Sequence, residues 1–209
     1  MIISVYKPKG ITSYDVIRKL KEKYPREKIG HGGTLDPLAE GVLVVGIGRE
    51  STRKLQIILK GTKKTYEATI ELGKTSLTDD SEGPIIDTNN SHIAPTEQEL
   101  IAVLSSFKGT TLQTPPKYSA VKINGVPAYK RARRGEQFVL QPKNIIIHSI
   151  KLLKYDFPHV QIEVACESGV YIRSLARDVG TKLKVGAYVS SLIRTAVGSY
   201  TRNDSINLS

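Results

Sequence analysis

The sequence predicts an α+β fold: a mixed, largely antiparallel sheet flanked by helices and loops. Two observations lead to it. Strand-like runs are not regularly separated by helical ones, as a doubly wound sheet would require. Residues 65–72 alternate cleanly, with Tyr66, Ala68, Ile70 and Leu72 on one face and Thr65, Glu67, Thr69 and Glu71 on the other, the pattern of a half-buried strand. A length of 209 residues with 39% hydrophobic content suits one domain, 1–209, with a substantial core.

The elements follow in order. Residues 2–6 read as a short strand and Lys7-Pro8-Lys9-Gly10 as a turn. Ser13 is placed to N-cap a helix whose apolar positions Val16, Ile17, Leu20 and Tyr24 keep helical spacing until Pro25. Residues 28–41 read as a glycine-rich loop, and 42–47 as an apolar strand. Arg49 to Lys60 suits a helix capped by Ser51 or Thr52, and the strand at 65–72 comes next. Residues 73–94 are polar and turn-rich, hence a long loop. Thr96 with Glu99 forms a capping box for a helix with Leu100, Ile101, Leu104 and Phe107 on its apolar stripe. Strands are predicted at 144–155 and 159–166. A helix over about 172–184 carries Ile172, Leu175, Ala176, Val179 and Leu183, and a last strand covers roughly 193–200. No internal repeat or low-complexity linker interrupts the chain.

Charge narrows the class of partner. Lys and Arg total 31 against 20 Asp and Glu, a net +11, with a sequence pI of about 9.6. Such an excess favours polyanions. No apolar run approaches the ~18–20 residues that span a bilayer, and Met1–Ile11 is not a signal peptide, so a membrane partner is not expected. The single cysteine, Cys166, rules out an internal disulfide framework and any Cys-based zinc site; a reducing, cytoplasmic setting follows as the expectation. From Leu100 to Gly135 stand seven cations (Lys108, Lys117, Lys122, Lys130, Arg131, Arg133, Arg134) and no acid, with Tyr118 and Tyr129 between them. Cations pair with phosphates and aromatic rings stack on bases, so this stretch reads as a nucleic-acid contact rather than a merely solvated face.

The residue that invites a chemical role is Asp36, in Gly30-His31-Gly32-Gly33-Thr34-Leu35-Asp36-Pro37. Asp followed by Pro is a standard helix start, but Gly41 and the β-formers Val42–Val45 arrive too soon for a helix. Glycines let backbone approach a ligand closely. Glu40, the nearest acid, is poorly spaced for a shared metal, which leaves Asp36 as a nucleophile or a general base. The loop lacks the Gly-Lys-Ser/Thr ending of a Walker loop, and Gly46-Ile-Gly48 lacks a third glycine.

The segment Gly30–Ala39 resembles the catalytic motif of the TruB family of tRNA pseudouridine-55 synthases. Further blocks agree in order: Lys7–Ser13, Lys64–Ala68, Ser76–Gly83, Pro116–Lys122, Ser168–Leu175 and Ser191–Thr195. The resemblance runs from residue 2 to about 200. It implies a pseudouridine synthase fold and an isomerase acting on uridine 55 in the T arm of tRNA; that reaction exchanges no electrons or external group, so no cofactor is expected, nor is a metal, and a monomer is the default expectation. It further implies that Asp36 is the nucleophile, that His31 fills the space left by the flipped uridine, and that Tyr66 stacks on the target base. Tyr171 and Leu192 would line the uracil pocket, and Arg173 would pair with Asp36. The basic residues Lys117, Lys122, Lys130, Arg131, Arg133 and Arg134 would grip the RNA backbone. Bacterial relatives usually carry a C-terminal PUA-type domain, for which residues 1–209 leave no room. Tyr188 stands where relatives often have histidine and receives no role. Two alternatives stay open: a non-catalytic RNA-binding or chaperone module of the same fold, and a pseudouridine synthase acting on another RNA, for instance through a guide.

Overall fold

The computed structural model describes residues 1–208. Along the chain lie β1 (Ile2–Lys7), α1 (Ser13–Lys23), β2 (Ile29–Gly32), β3 (Glu40–Ile47), α2 (Arg49–Ile58), β4 (Lys64–Leu72), β5 (Lys74–Ser76) and β6 (Ile85–Asp87). They are followed by α3 (Glu97–Ser105), β7 (Gly109–Gln113), β8 (Lys122–Ile123), β9 (Val126–Pro127), α4 (Ala128–Arg133), β10 (Lys143–Asp156) and β11 (His159–Cys166). The chain continues through α5 (Ile172–Lys182), β12 (Ala187–Val197), β13 (Tyr200–Thr201) and β14 (Ile206–Asn207). The main sheet has the order β14-β1-β3-β12-β4-β11-β10-β7, with β13 on β12 and β2 on β3. Antiparallel β1–β3, β2–β3 and β7–β10 pairs coexist with parallel β1–β14 and β3–β12 pairs. The predicted α+β class with a mixed sheet holds. Among the described residues, no helix is long and apolar enough to cross a membrane.

The chain divides into two compact units: residues 1–67, 163–168 and 191–209, and residues 68–162 with 169–190. In the first, β3 is buried almost end to end because β1 and β2 flank it and α1 and α2 pack on the hairpin. One core cluster gathers Val5, Val16, Ile17, Leu20, Leu43, Val45 and Ile47; another gathers Val42, Val44, Leu55, Leu59 and Val197. In the second unit, α3 and α5 bury Leu100, Leu104, Ile172, Leu175, Ala176 and Val179, and β10 contributes Ile145 and Ile147.

Several local expectations are corrected. Thr12, not Ser13, caps α1, in a reciprocal capping box with Asp15; Ser13 is turned inward and is 1% exposed. Gly48 precedes α2 with no side-chain cap, so neither Ser51 nor Thr52 performs that role, and the helix ends at Ile58. The span 28–41 is not all loop, since Ile29–Gly32 pairs with β3, His31 opposite Val45. Gly32 there serves packing: a Cβ would stand 1.9 Å from Leu59 Cδ1. The loop at 73–94 contains the β5–β6 hairpin, and the last long strand begins at Ala187 rather than near 193. The capping box at Thr96 is as predicted.

Candidate active site

Asp36 sits in a turn between β2 and β3, where its carbonyl accepts from Ala39 N at 3.1 Å, and not at a helix N-terminus. Its neighbours in sequence are tethered. Leu35 N donates to Ser13 Oγ at 2.8 Å and Ser13 Oγ donates back to Leu35 O at 3.0 Å. On the other side, Pro37 O accepts from Gly10 N at 2.8 Å and from the fully buried Lys7 Nζ at 3.4 Å. Lys7 also donates to Ile11 O and Pro8 O. The Lys7–Ser13 segment is thus the cradle of the Asp36 turn, which explains why it accompanies that turn in the sequence.

A second tether closes the same loop from β12. Arg194, 1% exposed, donates from Nε to Val42 O at 2.8 Å and from Nη2 to Gly33 O at 2.9 Å. One guanidinium therefore joins the two ends of the segment that carries Asp36. Backbone closeness reinforces it: Arg194 pairs with Gly41. Gly41 has φ +110°, and a Cβ there would lie 2.2 Å from Arg194 O. Only glycine fits.

Around Arg194 gather several of the predicted site residues. Tyr66, 7% exposed on β4, lies within electrostatic reach of Arg194. Burial pushes its phenol pKa up and the nearby Asp36 carboxylate adds to that, while Arg194 opposes it. The imidazole of His31 is pushed down by burial and by Arg194, which keeps it neutral at pH 7; among the described residues its buried Nδ1 has no hydrogen-bond partner. Lys64, two residues before Tyr66 on the same buried face, is also held below the usual lysine range by burial and by Arg194. The thiol of Cys166 is pushed up to about 12 by burial and is uncharged beside Lys64. Leu192 is buried on β12, two residues from Arg194. Arg194 itself received no role from its sequence position. A signal existed, since an arginine two residues after the apolar Leu192 faces the same side of a strand and must find partners there.

The second unit holds the other predicted residues. Arg173, 4% exposed at the start of α5, donates to Thr78 O and Tyr118 O at 3.0 Å each and pairs with Asp80 Oδ2 at 3.3 Å. Arg177, one turn on, donates to Asp79 Oδ2 and to Thr114 O, both at 2.8 Å. Burial raises Asp79 above the usual carboxylate range, and Arg177 counters the shift. Tyr171 precedes α5; its N–H and C=O are both satisfied by the Gln113 amide, at 2.9 and 3.1 Å. Tyr188 donates to Glu71 at 2.6 Å. Lys117, Lys122, Lys130, Arg133 and Arg134 are exposed, and the Arg133 guanidinium lies 5.5 Å from the Tyr129 ring centre. Arg131 differs from them. It is half-buried and engages Glu136 at 2.8 Å and Ile123 O at 3.4 Å.

Among the described residues, no cluster of three or more His, Cys, Asp or Glu side chains could hold a metal ion. The site offers a tethered carboxylate, an aromatic wall, a neutral histidine and buried cations. Such a set can attack an electrophilic carbon and stabilise developing negative charge.

Residues 20–172 match the model of the TruB family pseudouridylate synthase N-terminal domain. The tRNA pseudouridine synthase B of Clostridium acetobutylicum is 42% identical over 207 residues, 99% of this chain and 70% of that protein. That of Corynebacterium glutamicum strain R is 42% identical over 212 residues, covering 100% of this chain and 70% of the relative. Among solved structures, the crystal structure of a Cbf5–Nop10–Gar1 complex aligns with a TM-score of 0.76 at 32% identity over 99% of this chain. The present chain spans about half of that neighbour's length, 52%.

Proposed function

This chain belongs to the TruB family of pseudouridylate synthases, and from that premise we propose that it isomerises uridine 55 in the T arm of tRNA to pseudouridine, with Asp36 as nucleophile. The observation that carries the reading is the triple tethering of the Asp36 turn by Ser13, Lys7 and Arg194, beside a buried tyrosine. Backbone tethers on both sides of Asp36 hold the turn that carries its carboxylate, which favours attack at one atom.

The reaction breaks the N1–C1′ bond, turns the uracil, and joins C5 to C1′; C5 loses a proton and N1 gains one. No electrons or external groups are exchanged, so the chemistry calls for no cofactor. Asp36 supplies the nucleophile, at C6 of the base or at C1′ of the ribose. The target must first leave its stack, at a cost of a few kcal/mol. In this reading Tyr66 stacks on the extruded base, Leu192 lines its pocket, and the neutral His31 fills the gap it leaves. The exposed cations Lys117, Lys122, Lys130, Arg133 and Arg134 hold the backbone of the stem-loop, where shape counts for more than sequence.

Asp36→Asn tests this. Wild type should release the C5 proton of the target uridine of a T-arm stem-loop, and the variant should release none while binding the RNA within a few-fold of wild type. Continued conversion by the variant rejects Asp36 as nucleophile. A second reading, action on another RNA, draws on the similarity to a chain of a solved H/ACA RNP bound to a substrate RNA, 29% identical over 99% of this chain with a TM-score of 0.72. Mapping pseudouridine in cellular RNA with and without the gene separates the two.

A further inference from the structure

We propose that Lys64 binds a phosphate of the substrate backbone at the nucleotide that enters the site, with its ammonium taking a non-bridging phosphate oxygen. The inference rests on the reading of this protein as an RNA-isomerising enzyme and adds a ligand to it.

Lys64 opens β4 and shares the buried face of Tyr66, two residues on. A two-residue step along a strand is about 6.6 Å, so the amine stands one side chain away from the aromatic ring assigned to the base. Against Gly33, three residues before Asp36, a Cβ would lie 3.3 Å from Lys64 Nζ and 3.5 Å from Arg194 Nη1. Two cations therefore meet at a glycine whose missing side chain, at φ +78°, leaves the approach open.

The two cations differ in how they are satisfied. Arg194 holds two backbone carbonyls. Lys64 is only 9% exposed, yet among the described residues nothing accepts a hydrogen bond from it and no carboxylate pairs with it. Its neighbour Cys166 is uncharged. A desolvated ammonium with no partner destabilises a fold, and such groups are normally paired or exposed. A cation held at a cost to stability, on the face of the aromatic residue assigned to the base, is poised for an anion that arrives with the substrate. RNA brings one phosphate per nucleotide, and extruding a base swings the flanking phosphates with it. Arg194 beside it repels the Lys64 ammonium, and an arriving phosphate would relieve that repulsion.

The test is a cycle between protein and RNA. Wild type and Lys64→Met each bind a T-arm stem-loop and two copies carrying a single uncharged methylphosphonate, one on the 5′ and one on the 3′ side of the target uridine. Lys64→Met should bind the unmodified RNA about 10- to 100-fold more weakly, as for loss of a charge-assisted hydrogen bond. One of the two methylphosphonates should weaken wild type to a similar extent and cost the variant nothing more. Lys64→Arg should recover part of the loss. The melting temperature of Lys64→Met should stay level or rise, because an unpaired buried charge is gone; a lysine with a purely structural role would lower it. Unchanged binding by Lys64→Met, or additive losses at both linkages, overturns the assignment. Whether wild type isomerises the unmodified stem-loop judges the enclosing reading separately, since the cycle is read from binding alone.

Discussion

At the scale of single residues, the site is held by polar side chains that act on backbone. Ser13 and Arg194 contribute no group to the chemistry proposed, yet between them they hold three carbonyls and one N–H of the loop around Asp36. Arg194→Met would strip Gly33 O and Val42 O of donors in a dry interior, and loss of about 2–5 kcal/mol of stability is expected. Urea unfolding should show it as a lower midpoint with an unchanged m-value. The charge alone does not suffice, so Arg194→Lys, with one point donor in place of a fork, should recover only part. His31 makes a different prediction. Its folded pKa lies below 6.5 because burial and Arg194 disfavour the imidazolium. Its contribution to stability is therefore complete above about 6.5 and is lost as pH falls through the folded value. The decline of melting temperature below pH 6.5 should be shallower in His31→Asn, and equal slopes would reject the buried neutral imidazole. What was legible at this scale was Asp36 itself, through its implausibility as a helix start. The work of Ser13 was hidden because a serine beside a threonine at a helix start satisfies the capping rule equally well, and only the fold turns one of them inward.

At the scale of elements, legibility followed how much of the ordering signal was local. The helix α3 was placed at its correct start because the Thr96–Glu99 box is complete within four residues. Strand β4 was placed because its alternation is unbroken. By contrast β2 is a run of Ile-Gly-His-Gly, which no propensity would call a strand; its partner β3 imposes the conformation, and its glycines admit α2. The short β5, β6 and β7 were missed for the same reason, since runs of three to five residues acquire register only from a neighbour. The start of α2 at Arg49 was placed correctly, but its cap was misassigned, because Gly48, at φ +97°, precedes the helix and leaves its first turn without a side-chain acceptor. These differences make a comparison possible between two helix starts. Thr96→Ala removes the acceptor for Glu99 N and should cost about 1 kcal/mol. Thr52→Ala, whose hydroxyl donates to Arg49 O inside α2 and caps nothing, should cost a few tenths at most. Chemical denaturation of the two variants reads the difference, and equal losses would contradict the capping assignment at Thr96.

At the scale of the whole molecule, the dominant property is a net charge of +11, and the question is which cations face a polyanion. The sequence treated the run from Lys108 to Arg134 as uniform. In the fold it is not, because Arg131 is committed to Glu136 and Ile123 O while Lys117, Lys122, Lys130, Arg133 and Arg134 remain exposed. Counterion release gives a direct test of the distinction. Each phosphate neutralised contributes roughly −0.7 to −0.9 to the slope of log K against log salt. Measured with the Asp36→Asn variant, so that no RNA is converted, affinity for the T-arm stem-loop should fall steeply between about 50 and 200 mM salt. Glutamine at an exposed cation that contacts the RNA should flatten the slope by nearly one phosphate's worth. Arg131→Gln should leave the slope unchanged and instead lower stability, since it takes away one of the two cations on Glu136, the other being Arg134 at 3.6 Å, and removes a donor from Ile123 O. A flat salt response in the parent, or a slope that changes with Arg131 and with none of the five exposed cations, would move the RNA grip away from this stretch and onto another basic face of the protein.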